Sequence, residues 1–415
     1  MSGAGPLLAG ADGLLGPDGA LGLTSTPLLV GVSVLAAALL VGATVRVPSR
    51  LRRADGSGGR GLLLQAAVLV LCPALVLGSG ALWANRAFGF YGSWEALEGE
   101  GAVATTAFGA AHDAAPGDRP TESAALAAAR TAPVPDALAD PLHDPELRGI
   151  IAGPGGQYVR VTIPGRASDV RADALVHLPR GYMTNPDRRY PVVLAFSGIP
   201  GSPATVASAL RLGERIDAVA AEGRLAEAIV VIPVVYPGSH DTECVDPTDG
   251  HQRYETWLAS DVPAWTRAHL RTIEDPDAWA TFGYSGGGWC ASMLSARHPD
   301  LARSSISLGG YFQVLYARGQ EHTAPDDPAY DLPGLVERER PPVAMYFFAG
   351  GEDRLSDPSL GRMERAVDAA AADGGATSLL VRRSERGGHA LPLWRDHLDE
   401  SLVWLGRTSP GFAPA

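Results

Sequence analysis

The chain has 415 residues, of which 46% are hydrophobic, and it carries a formal net charge of -12 at neutral pH. This length accommodates one catalytic domain of about 250 residues together with a smaller part. The acidic balance argues against a nucleic-acid partner, because phosphate binding requires a concentrated basic surface.

Two long uncharged stretches come first, at about 21–45 and 61–85, and each is long enough to span a bilayer as a helix. Five arginines and one aspartate fall between them, so the positive-inside rule makes this loop cytoplasmic. Residues 1–94 are therefore predicted to form a membrane anchor of two transmembrane helices. The expected location is the plasma membrane, with the rest of the chain extracytoplasmic. The alternative is a pair of buried helices in a soluble protein.

Residues 95–148 are rich in Ala, Pro, Gly and acidic residues and show little apolar periodicity. This composition predicts a linker, with a short helix near 123–130.

From 149 to 409, β-rich runs alternate with helical patterns, which is typical of an α/β fold with a mostly parallel sheet covered on both faces. Eight strands are expected, at 158–163, 174–178, 191–196, 228–235, 278–284, 304–308, 343–348 and 378–381. Helical patterns fall at 204–222, 254–270, 287–297, 358–372 and 391–405. The stretch 313–342 lacks a clear period and is expected to form a small lid or insertion.

The strongest local pattern is G-Y-S-G-G, which matches G-x-S-x-G and spans Gly283 to Gly287. It follows a predicted strand and precedes a helical segment. In such a nucleophile elbow the serine occupies a strained strand-to-helix turn at a helix N-terminus, where the helix dipole favours developing negative charge. The pattern predicts the α/β-hydrolase fold with Ser285 as nucleophile. The alternative is a plain Gly-rich turn.

A serine hydroxyl is a poor nucleophile alone and needs a base and a group that orients the base. In this fold the chain order is Ser, acid, His. Asp353 follows the seventh predicted strand and is preferred as the acid over Glu352 and Asp357, because chemistry in α/β sheets collects at the carboxyl ends of strands. His389, in a Gly-flanked loop after the last strand, is the predicted base.

The oxyanion of the tetrahedral intermediate needs two backbone N–H donors. Gly286 is expected to provide one, and Ile199, in the loop F-S-G-I-P-G-S, the other. The alternative for this segment is an ordinary Gly-Pro loop. Gly198 is expected to make the turn, and it is assigned to substrate binding together with Trp289 and Tyr236.

Cys244 and Cys290 are the only cysteines after the predicted anchor, which itself contains Cys72. An oxidising compartment favours a disulfide between them, and the alternative is two unpaired buried thiols.

His240 and His251 flank D-T-E-C-V-D, a loop with three carboxylates. Their spacing matches no metal motif, so no metal is predicted. Four other histidines are expected to be exposed or capping side chains. They are His269, His298, His322 and His397.

From about 159 to 405 the chain resembles the esterase D family, which includes the mycolyltransferases of mycobacterial cell walls. The resemblance is carried by Y-E-T-W-L-A-S-D-V-P-A-W, G-Y-S-G-G-G-W-C-A-S-M-L-S-A-R-H-P-D, F-S-G-I and G-G-H-A-L-P-L-W. It implies acyl transfer through an acyl-enzyme, without metal or organic cofactor. It also implies Ser285 as nucleophile, His389 as base and Asp353 as acid, and it does not extend to residues 1–148.

The sequence thus predicts an extracytoplasmic serine esterase that acts on an ester or acyl-donor small molecule or lipid. One alternative is an acyltransferase that moves an acyl group to an envelope sugar or lipid. A second is a non-catalytic envelope binding module, against which the intact Ser285, Asp353 and His389 argue. A third is a serine peptidase of the same fold, which the absence of a gating domain before the hydrolase disfavours.

Overall fold

The computed structural model describes most of the chain from residue 158 onward and shorter parts before it. The described residues are 14, 19–51, 58–88, 94, 103–109, 121–139 and 158–414 without 239 and 325. The chain forms two compact units. The first contains residues 1–102 with the short segments 350–353 and 384–390, and the second contains 103–349, 354–383 and 391–415.

In the described part of the N-terminal region the chain forms two long helices, α1 (Thr26–Leu51) and α2 (Gly58–Phe88). Within α2, Val68–Arg86 is long and apolar enough to cross a membrane, whereas the apolar part of α1, Thr26–Gly42, is shorter. In the described part of the chain one helix therefore meets the requirement, where the sequence predicted two. The centre of the arginine-rich loop, 52–57, lies outside the described residues.

The polar side chains of these two apolar helices bond to each other. The hydroxyls of Ser33 and Ser79 are 2.8 Å apart, and the indole nitrogen of Trp83 donates to the Ser33 hydroxyl at 3.0 Å. Such bonds satisfy polar groups that an apolar environment would otherwise leave unpaired. They join α1 to α2 as a helical pair.

The second unit is built on a nine-stranded sheet with the order β1-β9-β8-β7-β6-β4-β5-β3-β2. The strands from β5 through β4, β6, β7 and β8 to β9 pair in parallel, and β3 and β2 add antiparallel pairs beyond β5. The strands are β1 (Val103–Gly109), β2 (Tyr158–Pro164), β3 (Arg171–His177), β4 (Val192–Phe196), β5 (Ile229–Pro233), β6 (Trp279–Tyr284), β7 (Ser304–Leu308), β8 (Ala344–Ala349) and β9 (Ser378–Ser384).

Helices follow most of the strands. They are α3 (Ala124–Thr131), α4 (Asp136–Ala139), α5 (Leu212–Ala221), α6 (Tyr254–Thr256), α7 (Val262–His269), α8 (Gly286–Arg297), α9 (Leu332–Glu339), α10 (Asp357–Ala372), α11 (Leu391–Asp396) and α12 (Leu398–Thr408). A π-helical turn, Trp257–Asp261, joins α6 to α7, and another, Thr205–Ala209, precedes α5.

Both faces of the parallel strands are buried. In β4, Val192 and Leu194 point into one apolar core and Val193 and Ala195 into the other, as the two-residue period of a strand requires. The first core is closed by α7, α8, α9 and α10, and the second by α5, α11 and α12. Apolar runs without alternation, which identified these strands in the sequence, are typical of this double coverage.

The eight predicted strands are present at about the predicted positions, and the sheet has a ninth. This strand, β1, lies inside the predicted linker, and α3 forms nearby where a short helix was expected. The strand is anchored by the Gly109 N–H, which donates to Asp368 at 2.9 Å, and by a bond from Arg382 to Thr105. Most of its residues are exposed or half-buried, so it gives little apolar signal. The described part of 95–148 is therefore partly ordered structure of the second unit.

Candidate active site

The predicted nucleophile, Ser285, occupies the junction of β6 and α8. Its backbone has φ 54° and ψ -127°, a conformation that L-residues rarely adopt. The Ser285 N–H donates to the carbonyl of Leu308 at the end of β7, at 2.9 Å, which holds this geometry in place. Such strain costs about 1–3 kcal/mol and persists where the surroundings enforce it, most often at functional sites. The backbone geometry is that of a nucleophile elbow.

The glycines of the elbow are required by close approach of the backbone. A Cβ on Gly283 would lie 1.9 Å from the carbonyl oxygen of Gly287, and one on Gly287 would lie 2.3 Å from that of Phe196 in β4. No side chain fits at either position. The G-x-S-x-G spacing therefore reflects the contact between helix α8 and the strands beneath it.

The loop after β4 reaches the elbow. A Cβ on Gly198 would lie 2.8 Å from the Cβ of Ser285, so this position also needs glycine. Ile199 follows in the same loop and is half-buried, with a cis peptide bond to Pro200. Gly286 is the first residue of α8, where backbone N–H groups lack helical partners and the dipole favours negative charge. The loop thus brings Ile199, the second predicted oxyanion donor, to the side of the elbow.

The predicted acid and base are hydrogen-bonded. Oδ2 of Asp353 lies 3.0 Å from Nδ1 of His389, and both side chains are buried. With the proton on Nδ1, the imidazole donates to the carboxylate and its basic nitrogen is Nε2. Two other acidic residues were considered for this role. Glu352 bonds the Gly387 carbonyl at 3.0 Å through its backbone N–H, and Asp357 is the first residue of helix α10. The structure therefore favours Asp353 as the partner of the histidine.

A buried carboxyl that the sequence did not single out lies near the elbow. Glu243 is fully buried; one carboxyl oxygen accepts from the Tyr311 hydroxyl at 2.7 Å and the other from the Leu315 N–H at 2.9 Å. Burial, with the nearby Asp241 as a second cause, raises the pKa of Glu243 well above its ordinary value. Its φ of 44° is a further strained backbone position. A fixed carboxyl and its two donors thus stiffen this loop.

Two tyrosine hydroxyls cover the residue that follows the nucleophile. A Cβ on Gly286 would lie 2.4 Å from the hydroxyl of Tyr236 and 3.4 Å from that of Tyr311. Burial raises the pKa of both phenols well above 10, with Glu243 as the second cause for each. Both hydroxyls therefore keep their protons near neutral pH. In the sequence, Glu243 is adjacent to Cys244. This adjacency indicates the position of Glu243 in the fold only once the disulfide partner of Cys244 is known.

The assignment of Trp289 to substrate binding is wrong. The side chain is fully buried, its indole nitrogen donates to the Glu243 carbonyl at 2.8 Å, and its ring stacks on Tyr311 with centroids 6.0 Å apart. The residues of α8 from Gly286 to Ala296 are all buried, so this helix is surrounded by the core at Trp289. Trp289 supports the Glu243 loop and has no exposed surface to offer a substrate.

The predicted disulfide is confirmed. Cys244 and Cys290 are bonded, with their Cα atoms 5.6 Å apart. Cys290 lies on α8, and Cys244, with φ 56°, follows Glu243. The bond therefore ties the Glu243 loop to the helix that begins at the elbow.

Several histidines lie away from the elbow. His298 caps the end of α8 and bonds Glu255 at 2.8 Å, and His397 precedes α12 and stacks on Phe348. His269, at the end of α7, bonds the Trp265 carbonyl at 2.8 Å. His298 and His269 lie at helix ends, whereas His397 is buried and packs on Phe348, so the expectation of an exposed or capping side chain is wrong for His397.

Three other histidines, His240, His251 and His322, form a cluster beside one carboxylate. Nδ1 of His251 and Nδ1 of His322 lie 2.7 and 2.9 Å from the two carboxylate oxygens of Asp249. The ring of His240 is 5.2 Å from that of His322. Among the described residues, Asp249, His251 and His322 are the group whose donor atoms are close enough to one another to hold a metal ion. The sequence gave no motif for it, because its members come from two distant segments.

Comparison with known proteins agrees with this geometry. Residues 167–405 match the family model described as "Putative esterase". An uncharacterised protein of Corynebacterium glutamicum is 22% identical over 272 residues, which cover 61% of this chain and 62% of that protein. The MPT51 antigen of Mycobacterium leprae is 40% identical over 63 residues, 15% of this chain and 20% of that protein. The chain thus matches about three fifths of the length of the first relative and a fifth of the second.

Solved structures share the fold. A ferulic acid esterase superposes with a TM-score of 0.50 at 21% identity, over 60% of this chain and 97% of that one. An S-formylglutathione hydrolase from Agrobacterium tumefaciens superposes with a TM-score of 0.51 at 19% identity, over 61% and 96%. These likenesses show the α/β-hydrolase fold, and the matched family model covers more than half of the chain. The chain therefore belongs to the esterase family of α/β-hydrolases, a family of serine carboxylic ester hydrolases.

Proposed function

We propose that the protein is an extracytoplasmic serine esterase that hydrolyses carboxylic esters through an acyl-enzyme on Ser285. The observation that carries the proposal is the strained backbone of Ser285 at the junction of β6 and α8. This geometry lifts a hydroxyl to the N-terminus of a helix, which is the arrangement of an activated serine nucleophile. Membership of the esterase family supports the same reaction class.

His389 is the proposed base and Asp353 the group that orients it. Their hydrogen bond supports this assignment, since it fixes the tautomer that a general base needs. Chain connectivity supports it too. Ser285 directly follows β6, Asp353 follows β8 and His389 follows β9, and all three strands belong to the parallel run of the sheet. Catalytic groups of open α/β sheets collect at the carboxyl ends of such strands.

In the proposed reaction, Oγ of Ser285 attacks the ester carbonyl carbon while its proton passes to Nε2 of His389. The backbone N–H groups of Gly286 and Ile199 stabilise the oxyanion that forms. The C–O bond to the alcohol breaks, and the imidazolium gives the departing oxygen its proton. A water molecule then gives a proton to the imidazole and attacks the acyl carbon. The carboxylic acid leaves, and the serine regains its proton.

The tyrosine hydroxyls beside Gly286 are proposed to line the acyl-binding side of the site. Tyr236 is buried and its hydroxyl lies close to the backbone of the first helical residue. Gly198, in the loop after β4, also approaches the nucleophile closely. A substrate carbonyl seated at Ser285 would therefore meet the neutral phenol groups of Tyr236 and Tyr311. Such a surface favours a flat ester group over a charged one.

The helical pair α1 and α2 is proposed to anchor the protein in the plasma membrane, with residues 149–409 as an extracytoplasmic catalytic domain. The apolar stretch Val68–Arg86 supports an anchor, and the disulfide supports an oxidising compartment. An anchored esterase meets esters and lipids that partition near the bilayer. These are the proposed substrates, and water is the proposed acceptor.

The proposal is tested with the purified full chain in detergent and short p-nitrophenyl esters. Ser285→Ala is expected to lower the turnover rate by at least about 10³-fold, because the acyl-enzyme cannot form. Ser208→Ala is the matched control, since this exposed serine bonds only within its own helical turn, to the Ala204 carbonyl. Turnover that survives in Ser285→Ala, or a folded wild type without turnover, would contradict the proposal.

A further inference from the structure

The cluster of His240, Asp249, His251 and His322 plays no part in the proposed ester hydrolysis. Its members come from the loop after β5 and from the segment between β7 and α9. Ring centroids of His251 and His322 are 4.1 Å apart, and those of His240 and His251 are 5.9 Å apart. Two imidazoles thus bond one carboxylate, and the ring of His240 lies next to both of them.

Ordinary packing does not explain this arrangement. Asp249 and His251 are exposed and His240 and His322 are half-buried, so no apolar core forces the rings together. Imidazole nitrogens gathered at a carboxylate are the donor set of a transition-metal site.

We propose that Asp249, His251 and His322, with His240 as fourth ligand, bind a divalent transition-metal ion of the Zn²⁺ type. Zinc takes imidazole nitrogen and carboxylate oxygen at about 2.0–2.2 Å in a tetrahedron, which separates neighbouring donor atoms by about 3.3 Å. The donor atoms of Asp249, His251 and His322 already lie within 4.8 Å of one another. Small side-chain rotations therefore complete the site. Ca²⁺ and Mg²⁺ prefer oxygen ligands and fit this donor set poorly.

The ion would act as a clamp between two segments that already touch. Ala317 donates its N–H to Asp241 at 2.6 Å, and the Asp241 N–H donates to the Gln320 side chain at 2.8 Å. Leu315 reaches the buried Glu243 from the same segment. His322 lies a few residues beyond these contacts, and Asp249 a few residues beyond Glu243. The contact through Glu243 joins these two segments next to the elbow. A bound ion would join the same two segments at a second point, further along both of them.

The test uses the full chain, purified in detergent without a polyhistidine tag and treated with a chelator. Isothermal titration with ZnCl₂ is expected to give one site per chain. The double variant His251→Gln/His322→Gln is expected to bind at least about 100-fold more weakly, because two of four ligands are lost. The control is His269→Gln, whose ring bonds the Trp265 carbonyl at the end of α7, away from both segments. This control is expected to bind as the wild type does.

Two further readouts separate a metal site from a structural cluster. Zn²⁺ at 100 times its Kd is expected to raise the unfolding midpoint of the wild type, since a ligand of the native state stabilises it, and to leave that of the double variant unchanged. Co²⁺ is expected to give a visible absorption band of tetrahedral intensity in the wild type and in His269→Gln. Asp249→Asn is a milder variant that keeps the histidines and should weaken binding. Equal zinc affinity in wild type and double variant, or no binding by a folded wild type, would overturn the proposal.

Discussion

Removal of the disulfide is expected to destabilise the second unit strongly. The bond between Cys244 and Cys290 closes a loop of 46 residues. The entropy that such a closure removes from the unfolded chain corresponds to about 4 kcal/mol at 25 °C. In a domain of this size about 1 kcal/mol lowers the unfolding midpoint by roughly 2–4 °C, so loss of the bond should lower it by about 8–16 °C. The perturbation is the double variant Cys244→Ala/Cys290→Ala.

The assay is thermal unfolding of the purified chain in detergent, followed by near-ultraviolet circular dichroism. Each single variant already breaks the bond, so the unfolding midpoints of both single variants should fall nearly as far as that of the double variant. Cavities left by the removed sulfur atoms would not by themselves give such a non-additive pattern. Cys72→Ala is the control, because this buried cysteine of α2 is free. A double variant that unfolds within about 2 °C of this control would refute the loop-closure reasoning, as would additive losses in the two single variants.

Three further changes test the site. Asp353→Asn should lower kcat by about 10³–10⁴-fold with KM little changed, because the imidazole loses its tautomer, and Glu352→Gln should retain the rate; steady-state ester kinetics decide this. Burial raises the pKa of Glu243 above 4.5, so its folded form binds the proton more tightly. Wild-type stability should therefore fall relative to Glu243→Gln as pH rises from about 4.5, and parallel unfolding curves between pH 4 and 8 would contradict this. Gly198→Ala places a Cβ 2.8 Å from that of the nucleophile and should lower kcat at least about tenfold, unlike the open helical position Gly361→Ala; equal rates would contradict the close approach.

The sheet and the elbow were predictable because their signals are local. Apolar runs such as those of β4 and β5 are buried at every residue, and no partner needs to be known to identify them. The glycines around Ser285 mark backbone contacts that only glycine permits. The strand β1 lacked such a signal, since it is exposed over much of its length and lies in an Ala-rich segment.

The polar parts of the site were much less predictable. Glu243 and Tyr311 are 68 residues apart, and Asp249 and His322 are 73 apart, so no short motif contains either pair. The choice between Asp353 and its neighbour Glu352 also depended on which carboxylate meets the imidazole. Spacing within a motif fixes backbone geometry, whereas a hydrogen-bond network depends on which loops the fold brings together.

The central claim is that Ser285 becomes acylated during turnover, and peptide mapping by mass spectrometry tests it most directly. The full chain is mixed with p-nitrophenyl butyrate, quenched in acid at short times and digested. The account predicts a mass increase of one butyryl group on the peptide that contains Ser285, and no such increase in Ser285→Ala. Acyl-enzyme that forms in His389→Ala is expected to persist longer than in the wild type, because the base that activates water is missing. An active wild type whose acyl group maps to another residue, or that turns over ester with no acylated peptide at any time, would contradict it.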